Sequence, residues 1–584
     1  MSSQCVSVLR KPWLRLDSAD MRARALSACR LVFAAIAVTV IVAPATRAEV
    51  PSRAAIATAH PLATAAGYKV LQQGGNAFDA AVTVAAVLAV VEPYSAGIGG
   101  GGFWLLHRAA DRNQVMIDAR ETAPAAIALS MYVDPNGKPL PGATLRGGKA
   151  AGIPGVPLGL VHLARQYGTL PLPELLAPAI ALARDGFRVD PRFANIAKLR
   201  EGLLLNGVNT ARTFLDNNRA PLPGYWLRQP QLADTLELLA TQGRDGFYRG
   251  RVAQALVSAA NAAGGVWSAS DLEDYKIVER APVKFSYGSA TIVAAALPSS
   301  GGVTLAQSLN ILERYALVDV RDPSSAHLVI EALRRGFEDR MRYLGDPDFV
   351  KVPVAKLVDK SYAHGRSANI DPNTATPNDA LTVGMVAASE SYNTTHYSVI
   401  DAAGNRVGAT LSINSWFGGG VVAGDTGVLL NNEIDDFSLR PDLANSYLLL
   451  GGVANGIAPR KRPLSSMSPT FVEDRKGVLV LGAPGGSRII SMVLFGILDY
   501  VNQGTVDLQR IVAAPRYHHQ CWPDQVEIEP DGFSAEWRAA LEGKGHRLHI
   551  GSRKWGNMQV VFKSNVDGSA QAASDPRGLD MGGY

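Results

Sequence analysis

The chain has 584 residues, 47% hydrophobic and 19% charged, a balance that supports a large buried core and excludes an intrinsically disordered chain. Its formal net charge of +5 is slight for this length, and the Lys and Arg residues are scattered without basic runs, which argues against nucleic acid as a partner.

At the N-terminus Arg22, Arg24 and Arg30 precede an apolar run from Leu31 to Ala43, followed by the small-residue stretch Pro44-Ala45-Thr46-Arg47-Ala48. This is the pattern of a secretory signal, and the run is too short for a membrane span. Residues 1–48 are therefore set outside the fold, and a periplasmic or extracellular protein without a stable membrane anchor is expected, with Met21 as an alternative start. Cys5 and Cys29 lie in the removed segment, leaving Cys521 and no intramolecular disulfide.

Pro61 to Gln73 reads as a helix stopped by Gly74, and Asn76 with Asp79 forms a capping box for an Ala- and Val-rich helix to Val91 that should be buried. Gly97 to Gly102 matches the letters of a dinucleotide fingerprint, with Asp118 and Glu121 downstream. A helix precedes it, however, and the strand-like Phe103–Leu106 follows, the reverse of what that fingerprint needs. Val115–Asp118 is a second strand, ending at Arg120, whose ordinary reading is a surface ion pair. Residues 151–342 read as largely helical scaffold, and Pro298-Ser299-Ser300 as a structural turn.

Thr394 stands where a polar segment meets an alternating pattern. Residues 395–401 and 406–414 flank the turn-like Ala402-Ala403-Gly404-Asn405 and read as a β-hairpin. Pairing Ile400 with Val407 or Gly408 places Thr394 beside Ile413 or Asn414, with Thr394, Ser412 and Asn414 on one face. A Thr hydroxyl becomes a useful nucleophile when its own α-amine is the base, and such an amine titrates near neutrality whereas an amide nitrogen does not. That chemistry requires a cut between Asn393 and Thr394.

Further on, Val428–Leu430 is strand-like and leads into Glu433-Ile434-Asp435-Asp436, a cluster without the ligand spacing of an EF-hand whose plain reading is a solvated turn. Residues 438–459 lack periodicity and carry Pro441, Gly451, Gly452 and Gly456, so they form either a functional loop or a plain surface loop. The strand Val478–Leu481 breaks at Gly485-Gly486 before a helix, which is compatible with an oxyanion hole or an ordinary turn. His518, His519 and Cys521 lack a second ligand pair, so no metal is expected.

Taken together, Thr394-Thr395-His396-Tyr397-Ser398-Val399, the run Asn431 to Phe437, Arg462 to Thr470 and Pro484 to Arg488 resemble the gamma-glutamyltranspeptidase family, over about Ala54 to Tyr584. The resemblance implies an α+β, four-layer αββα sandwich of the N-terminal nucleophile hydrolase type. It also implies self-cleavage into a large chain, 49–393, and a small catalytic chain, 394–584, that form one interwoven domain. By the same resemblance Thr394 attacks the γ-amide of glutathione or related γ-glutamyl compounds and passes the group to water, amino acids or peptides, without a cofactor. Ser412 would bond the Thr394 amine, and Gly485 and Gly486 would hold the oxyanion. Arg120, Ser465 and Ser466 would bind the substrate α-carboxylate, Asn414, Glu433 and Asp436 its amino group, and Tyr447 would wall the pocket beneath a lid. Competing readings are a related amidase acting on β-lactam side chains, such as a cephalosporin (glutaryl) acylase, and a non-catalytic secreted binding protein.

Overall fold

Two sheets set the architecture of the computed structural model, which describes residues 52–317, 319–377 and 394–578. The expected signal segment and Asn393 lie outside the described residues. The first six-stranded sheet runs in the order Ala55–Ala57, Thr395–Ile400, Arg406–Ser412, Gly101–Arg108, Asn113–Ala119, Val278–Arg280. The second runs Ala570–Ser574, Gln559–Ser564, Gly477–Gly482, Thr470–Glu473, Ala290–Ala294, Val283–Tyr287. Every neighbouring pair in both is antiparallel.

The sheets pack face to face, with Thr395–Ile400 and Arg406–Ser412 against Gly477–Gly482. Strands buried on both faces cannot alternate apolar and polar cleanly, and every residue of Thr395–Ile400 and Arg406–Ser412 is buried. Helices close the outer faces: Ala77–Val91 and Val156–Gln166 on the first sheet, Gly301–Leu312 and Arg488–Asn502 on the second. The result is the αββα sandwich.

Helix Ala77–Val91 starts where expected. The Asn76 side chain accepts from the Phe78 and Asp79 N–H groups while the Asp79 carboxylate accepts from the Asn76 N–H, and all its residues are buried. The glycine run at 97–102 serves close packing. A Cβ on Gly99 would lie 2.0 Å from the Leu429 carbonyl oxygen, and one on Gly100 2.1 Å from that of Ser412. Only hydrogen fits there.

Three expectations are corrected. The hairpin pairs Ile400 with Arg406, not with Val407 or Gly408, so Thr395 faces Leu411 and Thr394 comes level with Ser412. The cause is a tighter loop: Asp401 N–H donates to the Asn405 carbonyl at 3.0 Å, Asn405 N–H donates to the Asp401 carboxylate at 2.9 Å, and Gly404 takes φ +93°. Residues 278–294, expected within helical scaffold, instead supply three strands, one to the first sheet and two to the second. Val428–Leu430 forms no strand; Leu429 makes a single bridge with Val422, because the Gly427 backbone at φ +69° turns the chain out of extended geometry just before it. Among the described residues no helix is long and apolar enough to cross a membrane.

Candidate active site

Thr394 precedes Thr395–Ile400, the strand next to the Ala55–Ala57 edge of the first sheet, and is 6% exposed. Its hydroxyl donates to Ser412 Oγ at 3.3 Å, and Ser412 Oγ also accepts from the Asn414 N–H at 2.8 Å. The next residue is anchored from the helix layer, since the Thr395 hydroxyl donates to the buried Glu92 carboxylate at 2.8 Å. The nucleophile candidate therefore stands on two fixed neighbours.

Around it closes a recess with a cavity volume of about 20 Å³, lined by Ser412, Asn414, Glu433, Asp436, Tyr447, Ser465, Ser466 and Gly486 among others. That is room for about one water. Gly485 and Gly486 take φ +143° and +57° ahead of helix Arg488–Asn502, and neither N–H donates to another described group. Gly486 lines the recess together with Thr394, and an unspent backbone donor there is what an oxyanion requires.

The acidic turn is not solvated. Glu433 is 2% exposed, and the Asn431 side-chain carbonyl accepts from its N–H at 3.0 Å while the Asn431 amide nitrogen donates to the Gly99 and Gly152 carbonyls. Arg120 is fully buried rather than a surface residue, and its guanidinium donates to both Glu433 and Asp436. Glu121, also fully buried, lies 3.5 Å from Arg120 Nη1, and neither of its carboxylate oxygens has a hydrogen-bond partner among the described residues. Burial pushes the Glu433 carboxyl up to about 7 against the pull of Arg120, and raises Asp436 and Glu121 as well. One guanidinium thus faces three carboxyl groups that burial holds towards their neutral forms, and an incoming ammonium group would favour their charged forms.

Ser465 and Ser466 are braced by the turn read as structural. Ser300 N–H and Oγ donate to the Ser465 carbonyl at 2.8 and 2.7 Å, and the Ser465 N–H donates to the Pro298 carbonyl at 2.8 Å. Behind Ser466 stands a residue that sequence reasoning missed. Arg340, on helix Pro323–Tyr343 and 4% exposed, donates to Ser300 Oγ at 3.0 Å and Ser466 Oγ at 3.4 Å. Burial lowers its affinity for the proton to a pKa of about 10, and its partners are hydroxyls rather than carboxylates. This cation lies close to the serine pair.

Tyr447 covers the recess. Its hydroxyl donates to Asn414 Oδ1 at 2.8 Å, and its ring lies where a Cβ on Gly486 would sit, 2.5 Å away. The segment is held by Gln520, whose amide nitrogen donates to the Tyr447 and Leu448 carbonyls, and by Ser446, whose hydroxyl donates to Asp435 at 2.5 Å. It is a strapped-down cover.

The group His518, His519 and Cys521 lies apart from the residues that line the recess. His518 bonds Ser491 Oγ at 2.6 Å and His519 sits 3.3 Å from Asp524, while burial pushes the Cys521 thiol up to about 11. His327, Glu331 and His546 bring metal-ligand types together, but Glu331 is held by Arg334 and Arg335, and His327 bonds His546 and the Asp371 carbonyl. Glu331 and His327 are thus engaged with protein partners, while His546 Nδ1 has no hydrogen-bond partner among the described residues.

A sequence profile of the family Gamma-glutamyltranspeptidase matches residues 63–582. The chain is 41% identical over 529 residues to the glutathione hydrolase proenzyme of Escherichia coli (strain K12), covering 90% of each. It is 38% identical over 534 residues to the acylase ACY 1 proenzyme of Pseudomonas sp. (strain SE83), covering 90% of this chain and 92% of that one. Among solved structures, the cephalosporin acylase from Bacillus halodurans superposes with a TM-score of 0.79 at 26% identity, over 91% of this chain and 95% of that one. The fold shared with these proteins is that of the N-terminal nucleophile hydrolases. A match of this extent, on this fold, makes the chain an enzyme of the gamma-glutamyltranspeptidase family, hydrolase and transferase by class.

Proposed function

We propose that the enzyme is made as a precursor, cuts itself between Asn393 and Thr394, and then removes the γ-glutamyl group from glutathione and related amides. The observation that carries this reading is the convergence on one recess of Thr394, its hydroxyl 3.3 Å from Ser412, with Glu433, Asp436, Ser465, Ser466 and Gly486. Freed by the cut, the Thr394 α-amine takes the proton of its own hydroxyl, held by Ser412, as the oxygen attacks the γ-carbonyl carbon. The Gly485 and Gly486 N–H groups meet the oxyanion, where one lost donor costs about 3–4 kcal/mol. The C–N bond then breaks, the ammonium returns the proton to the leaving nitrogen, and a γ-glutamyl ester remains on Thr394. Water or an acceptor amine attacks that ester, releasing glutamate or a new γ-glutamyl amide and restoring the hydroxyl.

The head group is read by its two charges. Asn414, Glu433 and Asp436 take the ammonium; Ser465 and Ser466 take the α-carboxylate, together with Arg120 once its two acids turn to the substrate. In the unliganded site Arg120 neutralises the acids that the substrate later claims, so exchange keeps the buried charge balanced. An acylase acting on a glutaryl group would have no ammonium to offer Glu433 and Asp436. Release of p-nitroaniline from γ-glutamyl-p-nitroanilide, with and without glycylglycine, is the direct test. Hydrolysis of a glutaryl anilide without the γ-glutamyl one would overturn the reading.

Two expectations follow from the electrostatics and from the cover. Because the raised Glu433 carboxyl loses its charge as pH falls through about 7, while the substrate amine stays protonated, KM for γ-glutamyl-p-nitroanilide should rise roughly fivefold or more between pH 8 and pH 6. Glu433→Gln should flatten that limb; an unaltered limb would assign it to another group. Tyr447→Ala should open the recess to water and raise hydrolysis relative to transfer about threefold or more, with Tyr447→Phe close to wild type. Equal product ratios in all three proteins would deny Tyr447 a covering role.

A further inference from the structure

A buried cation is costly unless an anion sits beside it, and elsewhere the chain keeps to that rule: the buried Arg335, Arg406 and Arg516 reach Glu331, Glu473 and Asp575 respectively. Arg340 does not. It is as deeply buried, has no ion-pair partner among the described residues, and gives two of its donors to hydroxyls, Nε to Ser300 Oγ and Nη2 to Ser466 Oγ. Asp436 acts on it only across space.

Those two bonds decide how the serine pair is presented. Ser466 Oγ accepts from Arg340, and Ser465 Oγ accepts from the Met467 N–H at 3.1 Å. A hydroxyl that accepts from one side carries its own hydrogen away from that donor, and neither serine hydroxyl donates to another described group, although both residues line the recess. Donation from a cation also polarises the Ser466 O–H and makes it the stronger donor. The second arm of the guanidinium works through Ser300, whose N–H and Oγ both donate to the Ser465 carbonyl. One side chain thus orients one hydroxyl and steadies the backbone that carries the other.

Resting on the γ-glutamyl reading above, we propose that Arg340 is a positioning residue for the substrate α-carboxylate, aiming the hydrogens of Ser465 and Ser466 into the recess and supplying positive charge from behind them. It acts through the serines and does not touch the substrate. Arg120 already answers to Glu433 and Asp436, so an arriving carboxylate that had only Arg120 would compete with two acids for one guanidinium. Arg340 adds a cation whose charge no adjacent acid takes up.

The test uses γ-glutamyl-p-nitroanilide and its α-carboxamide, which differ only in the group that the two serines would hold. Arg340→Gln, Arg340→Lys, Ser466→Ala and the double variant Arg340→Gln/Ser466→Ala are set beside wild type. Wild type should prefer the acid about tenfold or more in kcat/KM, and in processed Arg340→Gln that preference should fall about fivefold or more, through KM for the acid, with the carboxamide little changed. Arg340→Lys, which keeps the charge but not both bonds, should recover part of the preference. Because the effect runs through Ser466, Arg340→Gln should cost less of the preference in the Ser466→Ala background than in wild type. A residue that only braces the fold would lower both substrates alike and leave the preference intact; that result, or failure of both Arg340 variants to fold and be processed, would overturn the role. A wild type that releases p-nitroaniline from neither substrate, or from both alike, would remove the γ-glutamyl reading itself. A wild-type preference for the acid that Arg340→Gln leaves unmoved would remove the role of Arg340 alone.

Discussion

Thr394→Ala protein should migrate on a denaturing gel as one chain, where wild type separates into two. The smaller piece should lie near roughly 20 kDa, from 191 of 584 residues in a chain of 61.9 kDa, and N-terminal sequencing should read Thr394-Thr395-His396. The substitution removes the hydroxyl that attacks in both the cut and turnover, so activity on γ-glutamyl-p-nitroanilide should drop by about a thousandfold or more. Folding is expected to survive, because the side chain is small and its neighbour Ser412 keeps the Asn414 N–H as a partner. An intact wild-type chain with full activity would sink the mechanism, since an amide nitrogen at residue 394 cannot act as the base.

Arg120→Lys should be processed at Thr394 yet lose about tenfold or more in kcat/KM. Lysine keeps the charge but not the planar fork that reaches Glu433 and Asp436 together. One of the two acids is then left buried without its charge-assisted bond, worth roughly 1.5–3 kcal/mol. The loss therefore shows twice, as weaker recognition of the head group and as a lower midpoint of thermal unfolding. Both are measured on the same preparation, and unchanged kinetics in a processed, destabilised variant would make Arg120 structural only.

Much of the candidate site's local geometry is legible in the sequence because its signals are local. A capping box, a two-glycine turn and a polar hairpin are each written within a few residues, and Asn76, Gly485, Gly486 and Ser412 stand where those patterns place them. The hairpin register was missed by one or two positions, because the Asp401–Asn405 pair that sets it depends on a side-chain bond the alternation does not reveal. Burial was the harder property. Arg120 and the acids at 433–436 carry the letters of a surface and are sealed by elements distant in the chain. Arg340 sits in a helix rich in Arg, Glu and Asp, where nothing in the 3.6-residue period separates a solvated guanidinium from one turned inward behind Ser466. The strands at 278–294 were hidden as short segments: Val278–Arg280 and Val283–Tyr287 are edges, and Ala290–Ala294 owes its interior place to Thr470–Glu473, far along the chain.

The distribution of strands about residue 394 bears on what a cut there can do. In the first sheet the strand that follows Thr394 lies between Ala55–Ala57 and Arg406–Ser412, and in the second Ala290–Ala294 is zipped to Thr470–Glu473. Each sheet is thus assembled from both sides of residue 394, and neither product of a cut there would hold a complete hydrophobic interior of its own. Parting them would strip backbone hydrogen bonds from two sheet interiors at once and bare the apolar faces between them, which for a domain amounts to denaturation rather than dissociation. A cut at this point, as proposed above, would therefore be a one-way step: the two fragments would persist as a single body that, once melted, would have lost the connectivity by which it was first assembled.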